Sequence, residues 1–147
     1  MPEYLLARII VTLAALMITG APLFADLNKT HATNPLWTPH ARFHVVWQVL
    51  SYGLLGAVSL FLIWSAGPLV VERLYLACAL MGAIILGFFL AAVSVRRFGG
   101  AFYDTNGYTP FATRRVLGRQ VEFDVNATGF TVFALILIVA TISVWLA

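Results

Sequence analysis

Four long stretches that are almost free of charge dominate this 147-residue chain and limit what it can fold into. They cover residues 5–25, 43–64, 74–95 and 130–147. A helix needs about 20 mostly apolar residues to cross the hydrocarbon core of a bilayer, and each stretch is close to that length. Backbone polar groups must find partners within the segment in lipid, so each stretch is predicted to be helical. We therefore predict an all-α integral membrane protein, with one domain built as an antiparallel four-helix transmembrane bundle.

Composition excludes the other broad classes of protein. Hydrophobic residues make up 61% of the chain and charged residues only 10%, whereas a soluble domain has about 25% charged residues. A disordered chain would need low hydrophobicity and high charge, which is the opposite pattern. The single cysteine, Cys78, excludes a disulfide framework and a metal site built only from cysteines.

The basic residues predict an orientation. With four spans, the termini and residues 65–73 share one side of the membrane and carry only Arg8 and Arg73. The loops at 26–42 and 96–129 share the other side and carry Lys29, Arg42, Arg96, Arg97, Arg114, Arg115 and Arg119. Basic loops stay in the cytoplasm, so both termini are predicted outside, and we expect a multi-pass protein of the bacterial inner membrane. Because these charges flank the spans, they indicate contact with membrane lipid and no nucleic-acid partner.

The loop at 96–129 is long for a connection within a bundle. Residues 104–107 (Asp-Thr-Asn-Gly) form a strong turn signal. The aromatic residues on either side, Phe102, Tyr103 and Tyr108, favour either a short hairpin or a cap that lies on the bundle. Farther along, Arg114, Arg115 and Arg119 have a spacing that fits a short helix at the membrane surface.

The third span carries small residues at intervals of four: Ala79, Ala83, Gly87 and Ala91. Small residues at this spacing allow helix backbones to approach closely inside a membrane. The pattern predicts a close contact within the bundle, with a homo-oligomer contact between protomers as the alternative.

Polar residues gather around the start of the second span. Pro39 is predicted as the first residue of that helix, with Thr38 as its cap. From there a spacing of four places His40, His44, Gln48 and Tyr52 in one row on the helix. A polar row in hydrocarbon is costly unless it faces the bundle interior or water. Asp26, Tyr103 and Asp104 come from the same side of the membrane, so we predict a shared pocket that opens to the cytoplasm.

Three functions fit this set of residues. The first is binding or isomerisation of a lipophilic small molecule, with Asp26 and His44 as a catalytic acid–base pair. The ligand would also contact His31, Asn34, Trp37, His40, Trp47, Gln48, Tyr52, Tyr103 and Asp104. The second is a site for haem b or a divalent metal, because His40 and His44 are spaced to share one ion. The third is a non-catalytic subunit of a membrane assembly. A purely structural role, in which the histidines cap helices and bind nothing, is the competing interpretation.

The stretch D-x-N-x-T-H-x-x-N-P-x-W-x-P-H-A-R-F-H, which begins at Asp26, resembles the signature of an uncharacterised family of small four-span membrane proteins. The segment at 23–27, followed by Phe43, His44, Trp47 and Gln48, is similar to the EXPERA domain, which includes sterol isomerases and the sigma-2 receptor. That resemblance implies a sterol-sized pocket in which Asp26 faces position 44. The sequence departs from it by placing His44 where the sigma-2 receptor has an acid, and by the opposite orientation. A looser resemblance, to styrene oxide isomerase, implies haem b between protomers, with Trp37 and His40 as the matching pair.

Overall fold

The computed structural model describes residues 4–147, most of which are helical. The elements in chain order are helix α1 (Leu5–Ala15), a π-helical turn (Leu16–Gly20), helices α2 (Ala21–Asp26), α3 (Pro39–Trp64) and α4 (Val70–Ser94), a 3-10 turn (Val95–Phe98), strands β1 (Ala112–Val116) and β2 (Arg119–Phe123), and helix α5 (Val125–Trp145). Four continuous helical segments are long and apolar enough to cross a membrane: Leu5–Asp26, Pro39–Trp64, Val70–Phe98 and Val125–Trp145. The four predicted helices are therefore confirmed, with longer bounds than hydropathy gave them.

Two helix starts are set by side-chain caps. Thr38 accepts a hydrogen bond at its Oγ1 from the N–H of Ala41 at 3.2 Å, and Pro39 follows it as predicted. Asp124 accepts at its Oδ1 from the N–H of Ala127 at 2.9 Å, so α5 begins at Val125, five residues before the predicted span. Hydropathy missed this turn because its polar residues lower the local average, whereas a capped helix tolerates them.

The first helical segment is interrupted at the π-helical turn that precedes Pro22. Proline has no N–H to give to the helix, and a widened turn is one way to accommodate it. Thr19, within the turn, donates its hydroxyl to the carbonyl of Ala15 at 2.7 Å. A Cβ added at Gly56 of α3 would lie 2.1 Å from the Thr19 Oγ1, so this close approach requires glycine.

The buried core lies toward one end of the molecule, near the α3–α4 connection. It includes Val11 and Ile18 on the first segment, Ile63 at the end of α3, and Leu74 and Met81 on α4. Helix α3 packs on α4, α4 on α5, and α1 on both α3 and α5. At this end Arg8 donates from Nη1 to the carbonyl of Ile63 at 2.5 Å, which satisfies one of the free carbonyls at the end of α3. Dense packing is thus concentrated away from the end that carries the predicted polar pocket.

The contact predicted within the bundle for the small residues of α4 is wrong. The four residues Ala79, Ala83, Gly87 and Ala91 are all exposed. The residues that α4 buries lie on another face and include Cys78, Met81 and Ile85. Small side chains can line a space as well as a contact, and spacing alone does not distinguish the two.

The long loop has two parts. Residues 102–108, called the roof segment below, make the predicted turn, in which the N–H of Gly107 bonds to the carbonyl of Asp104 at 3.0 Å. The surface helix predicted for the arginines is wrong, because β1 and β2 pair there as an antiparallel hairpin in which Arg114 faces Val121. Alternating residues within each strand, with a glycine in the connecting turn, also suit a hairpin, and that pattern prevails here.

Candidate functional site

A cavity of about 540 Å³ lies at the end of the molecule opposite the buried core. We call it the inner cavity. It is lined by α2, by the first half of α3, by the last turns of α4 and by the first turns of α5. Its polar lining residues are Asp26, His31, Gln48, Tyr52 and Asn126. The volume falls within the range of roughly 300–1,000 Å³ that is typical of small-molecule sites.

Small residues make room for this cavity, and aromatic rings form one of its walls. A Cβ added at Gly87 or Gly129 would meet no neighbouring atom within 4 Å. Each of these glycines is followed by a phenylalanine, and the rings of Phe88 and Phe130 stack with centroids 4.0 Å apart and planes 3° apart. The cavity therefore combines open space with a flat apolar wall, as the site of a lipophilic ligand requires.

An acid and a base lie side by side at the polar end of the inner cavity. The Oδ1 of Asp26 is 3.7 Å from the Nδ1 of His31, and both side chains are largely buried. Asp26 is the last residue of α2, so the π-helical turn and Pro22 set its position around the helix axis. A separation of 3.7 Å is longer than a direct hydrogen bond, but it leaves the carboxylate and the imidazole close enough to act on the same bound molecule or to exchange a proton through one bridging water.

The residues around Asn28 fix the ring of His31. Asn28 accepts at its Oδ1 from the Thr30 hydroxyl at 2.7 Å, and the same hydroxyl lies 2.9 Å from the His31 Nδ1. A hydroxyl has one hydrogen, and the Oδ1 of Asn28 can only accept it. The tautomer of His31 that agrees with this bond carries its hydrogen on Nδ1, which then donates to the Thr30 hydroxyl. This leaves the Nε2 of a neutral His31 free to accept a proton.

Aromatic side chains hold His31 on two sides. Its ring centroid lies 4.9 Å from that of Trp37, in an edge-on arrangement, and 4.8 Å from that of Tyr108. Trp37 donates from its Nε1 to the Oδ2 of Asp104 at 2.7 Å, and Tyr108 donates its hydroxyl to the carbonyl of Ala25 at 3.0 Å. The roof segment therefore fixes the histidine as well as covering it.

A second cavity, the outer cavity, has a volume of about 520 Å³ and lies under the roof segment. Its lining includes the predicted residues Trp37, Tyr103 and Asp104. His31 and Asn126 line both cavities, so the two spaces adjoin at these side chains. His31 thus contacts both the inner cavity and the space beneath the roof segment.

Asn34 has a structural role. It is 2% exposed, and its Nδ2 donates to the carbonyl of Asn106 at 2.6 Å. Its Oδ1 accepts from the N–H of Leu36 at 3.0 Å. Near this junction the roof segment approaches so closely that a Cβ at Gly107 would lie 2.7 Å from the carbonyl oxygen of Thr30. Asn34 lines neither cavity, so the prediction that it contacts the ligand is not supported by its position.

Three further predicted residues stand outside the site. His40, His44 and Trp47 are exposed and line neither cavity, although Gln48 and Tyr52 of the same row line the inner one. A helix turns about 100° per residue, so a step of four overshoots a full turn by about 40°, and three steps rotate the row by about 120°. The row therefore winds from the outer surface into the cavity. The structure places His31, and not His44, next to Asp26, so the catalytic pairing of Asp26 with His44 stays a prediction without support from the geometry.

The geometry gives little support to the interpretation that His40 and His44 bind a metal ion. The Nε2 atoms of His40 and His44 lie 3.0 Å apart, so the predicted pair does come together. No third ligand joins it: within residues 4–147 no group of three or more His, Cys, Asp or Glu side chains could hold a metal ion. The haem prediction, which rests on the same histidines, stays a prediction.

No family model, curated protein or solved structure matches the chain. The resemblance to the EXPERA domain therefore stays a prediction.

Sequence reasoning missed the apolar half of the site. Phe88 on α4 and Phe130 and Phe133 on α5 line the inner cavity, whereas the sequence analysis predicts no site residue on either helix. A signal was present, because Gly-Phe pairs occur at 87–88 and 129–130, near the cytoplasmic ends predicted for both helices. A glycine that leaves space beside a large ring is a pattern that suits a ligand pocket as well as a packed core.

Proposed function

We propose that this protein is a multi-pass membrane protein that binds a lipophilic small molecule in the inner cavity and moves a proton on it. The observation that carries this proposal is the Asp26–His31 pair at the polar end of a cavity of about 540 Å³ whose walls are otherwise largely apolar. A role in packing alone would not need this space beside a buried acid and base.

The outer surface of the helices supports the membrane location. Large apolar side chains point away from the molecule on all four segments, among them Phe24, Leu54, Val93 and Leu135. Such a surface is stable in hydrocarbon and unstable in water. We propose an antiparallel transmembrane bundle with both termini outside and both long loops in the cytoplasm, on the basis of the basic residues in those loops.

The chemistry of the cavity lining favours a hydrophobic ligand that carries one polar group. The apolar part would lie against Phe88, Phe130 and Phe133, and the polar group would lie toward Gln48 and Tyr52. Gln48 donates from its Nε2 to the Tyr52 hydroxyl at 3.1 Å, which leaves the hydrogen of that hydroxyl available for a ligand oxygen. Two polar groups on one wall would orient the ligand relative to Asp26.

The proposed reaction is an isomerisation by proton transfer. The Nε2 of neutral His31, or the carboxylate of Asp26, removes a proton from one carbon of the ligand. The other group of the pair, which begins the step protonated, delivers its proton to another carbon while the double bond shifts between the two carbons. A proton then passes from the first group back to the second, which restores the starting state. Atoms and electrons balance within the ligand, so the step needs no oxidant or reductant.

The test is to identify the molecule that co-purifies with the protein and to block its site. The protein is purified in mild detergent and extracted with organic solvent, and the extract is compared by mass spectrometry with a detergent blank. The variant Gly87→Leu places a side chain in the inner cavity, since nothing occupies that position within 4 Å. We expect at least a tenfold loss of the co-purifying molecule.

Ala83→Leu is the matched control. Ala83 lies one turn away on the same helix, is exposed and does not line the cavity. It makes the same kind of change without filling the site. Equal retention of the molecule in wild type and both variants would contradict binding in the inner cavity, and equal loss in both variants would indicate an effect on the helix as a whole.

A further inference from the structure

The hairpin formed by β1 and β2 has two unlike faces. The register pairs Ala112 with Phe123, Arg114 with Val121, and Val116 with Arg119. These six side chains share one face, because alternate residues of a strand point to the same side. The opposite face carries only polar side chains: Thr113, Arg115, Gln120 and Glu122. We call the first the apolar-basic face and the second the polar face.

The apolar-basic face lacks a large partner within the described chain. Val116, Val121 and Phe123 are all exposed, and no helix makes an extensive contact with the hairpin. A two-stranded hairpin with one bare apolar face is marginally stable in water by itself. The composition of the apolar-basic face therefore indicates that something other than residues 4–147 covers it.

The tip of the hairpin carries an unusual residue for its conformation. The connecting turn is Leu117-Gly118, with φ of 49° and 78° respectively. Two positive φ values in a two-residue turn usually call for asparagine, aspartate or glycine at the first position. Leucine is strained there and is also 99% exposed. A large apolar side chain that is fully exposed in an unfavourable conformation is explained if the tip enters an apolar medium.

The short connection between β2 and α5 limits how far the hairpin can lie from the membrane. Residue 124 alone separates β2 from α5, which is long and apolar enough to cross a membrane. Strands of five residues extend about 17 Å, so the hairpin cannot move far from the end of that helix. The surface of the bilayer is thus always close, and no second protein is needed to cover the apolar-basic face.

Charge identifies the kind of lipid. The face includes Arg114 and Arg119, and the 3-10 turn at the end of α4 adds Arg96 and Arg97. Between residues 96 and 124 the arginines outnumber the acids, which are Asp104, Glu122 and Asp124. Clustered basic residues next to a span are attracted to anionic headgroups, and arginine can bond a phosphate through two nitrogens.

From these observations we propose that the hairpin is a membrane-surface anchor. Its apolar-basic face lies on an anionic leaflet, Arg114 and Arg119 bind phosphates of the headgroups, and Leu117 enters the acyl region. This proposal rests on the membrane location given above and does not depend on the ligand or on the chemistry of the inner cavity.

The test measures the depth of single positions in a bilayer. A nitroxide label is attached at Leu117→Cys, Val121→Cys or Gln120→Cys in a Cys78→Ala background, which removes the only native cysteine. Each protein is placed in nanodiscs of phosphatidylcholine alone or with one quarter phosphatidylglycerol. Collision rates of the label with oxygen, which concentrates in lipid, and with a water-soluble nickel chelate report its environment.

With phosphatidylglycerol, we expect the oxygen-to-nickel ratio at positions 117 and 121 to exceed that at position 120 at least fivefold. Replacing both Arg114 and Arg119 by glutamine should lower the ratio at 117 at least threefold. Arg115→Gln, on the polar face of the same strand, is the matched control and should leave it unchanged. Without phosphatidylglycerol the ratio at 117 should fall as it does in the double variant.

Other results overturn the proposal. Equal nickel accessibility at 117 and 120 would show a hairpin standing in water. Low collision rates for both reagents at 117 and 121 would show that protein covers the face instead. A ratio at 117 that is the same with and without phosphatidylglycerol would exclude the anionic leaflet. A fourth label at Leu54→Cys, an exposed position within a span, reports oxygen contact in all three cases if the spans are in the bilayer, so these outcomes are distinguishable from failure of the proposed membrane location.

Discussion

The Nδ1 of His31 lies 3.7 Å from the Oδ1 of Asp26, although His31 belongs to the connecting loop and Asp26 ends a helix. Four residues separate the two in the sequence, and hydrogen bonds of the loop bring them together. The carbonyl of Asp26, for example, accepts from the N–H of Ala32 at 3.0 Å. Local hydrogen bonds therefore bring the pair together, and the roof segment adds long-range contacts that fix His31.

Asp26→Asn and His31→Ala are each expected to abolish proton exchange into the bound molecule. Wild-type protein carrying its co-purified molecule is incubated in D₂O, and mass spectrometry measures deuterium at carbon positions. We expect exchange in wild type and at least a hundredfold slower exchange in both variants, since removal of an acid–base group costs about 10²–10⁴ in rate. Unchanged exchange in Asp26→Asn would rule out this pair as the acid and base.

His40→Ala and His44→Ala are expected to leave both binding and exchange unchanged. Both side chains are exposed, contact each other through their Nε2 atoms and line neither cavity. The same extraction and deuterium measurements serve as the readout. A loss comparable to that of His31→Ala would restore the role that sequence spacing predicted for His44 and would contradict the site described above.

Asn34→Ala is expected to lower the free energy of unfolding by about 1–3 kcal/mol, because buried groups lose their hydrogen-bond partners. The groups concerned are the carbonyl of Asn106 and the N–H of Leu36. Thermal unfolding in detergent is the measurement. Asn106→Ala is the matched control, since the bond uses only the backbone of Asn106. Equal destabilisation by the two changes would contradict the assigned contact.

Gly56→Ala is expected to destabilise the protein by about 1–3 kcal/mol through overpacking. The added Cβ would lie 2.1 Å from the Oγ1 of Thr19, on the π-helical turn. In the double variant Gly56→Ala/Thr19→Ala the clashing oxygen is absent, and we expect part of the stability to return. A double variant whose stability loss equals the sum of the two single losses would show that the two residues do not contact each other.

The helical architecture could be predicted because length and apolarity alone determine it. A run of about 20 apolar residues has few alternatives to a helix. Helix starts were predictable only where the cap was considered: Thr38 and Pro39 were correctly assigned, whereas Asp124 was overlooked and the first turn of α5 with it.

The candidate site was only partly predictable, for reasons that concern His44 and His31. A spacing of four suggests one helix face over two turns, but the rotation accumulates and separates His44 from Tyr52. His31 was named as a contact residue, yet its pairing with Asp26 depends on loop hydrogen bonds that no periodicity encodes. The hairpin was missed because the spacing of the arginines fits both a helix and a strand pair.

The bond between Asn34 and the carbonyl of Asn106 joins positions 72 residues apart in the chain. During synthesis, α1, α2 and the loop that carries His31 leave the ribosome before residue 106 is added to the chain. Until then the side chain of Asn34 cannot bond to the carbonyl of Asn106, and the ring of His31 has no contact with the ring of Tyr108. In a nascent chain, Asp26 and His31 are therefore not yet covered by the roof segment. The cover forms only after translation has passed α4 and the roof segment has been synthesised.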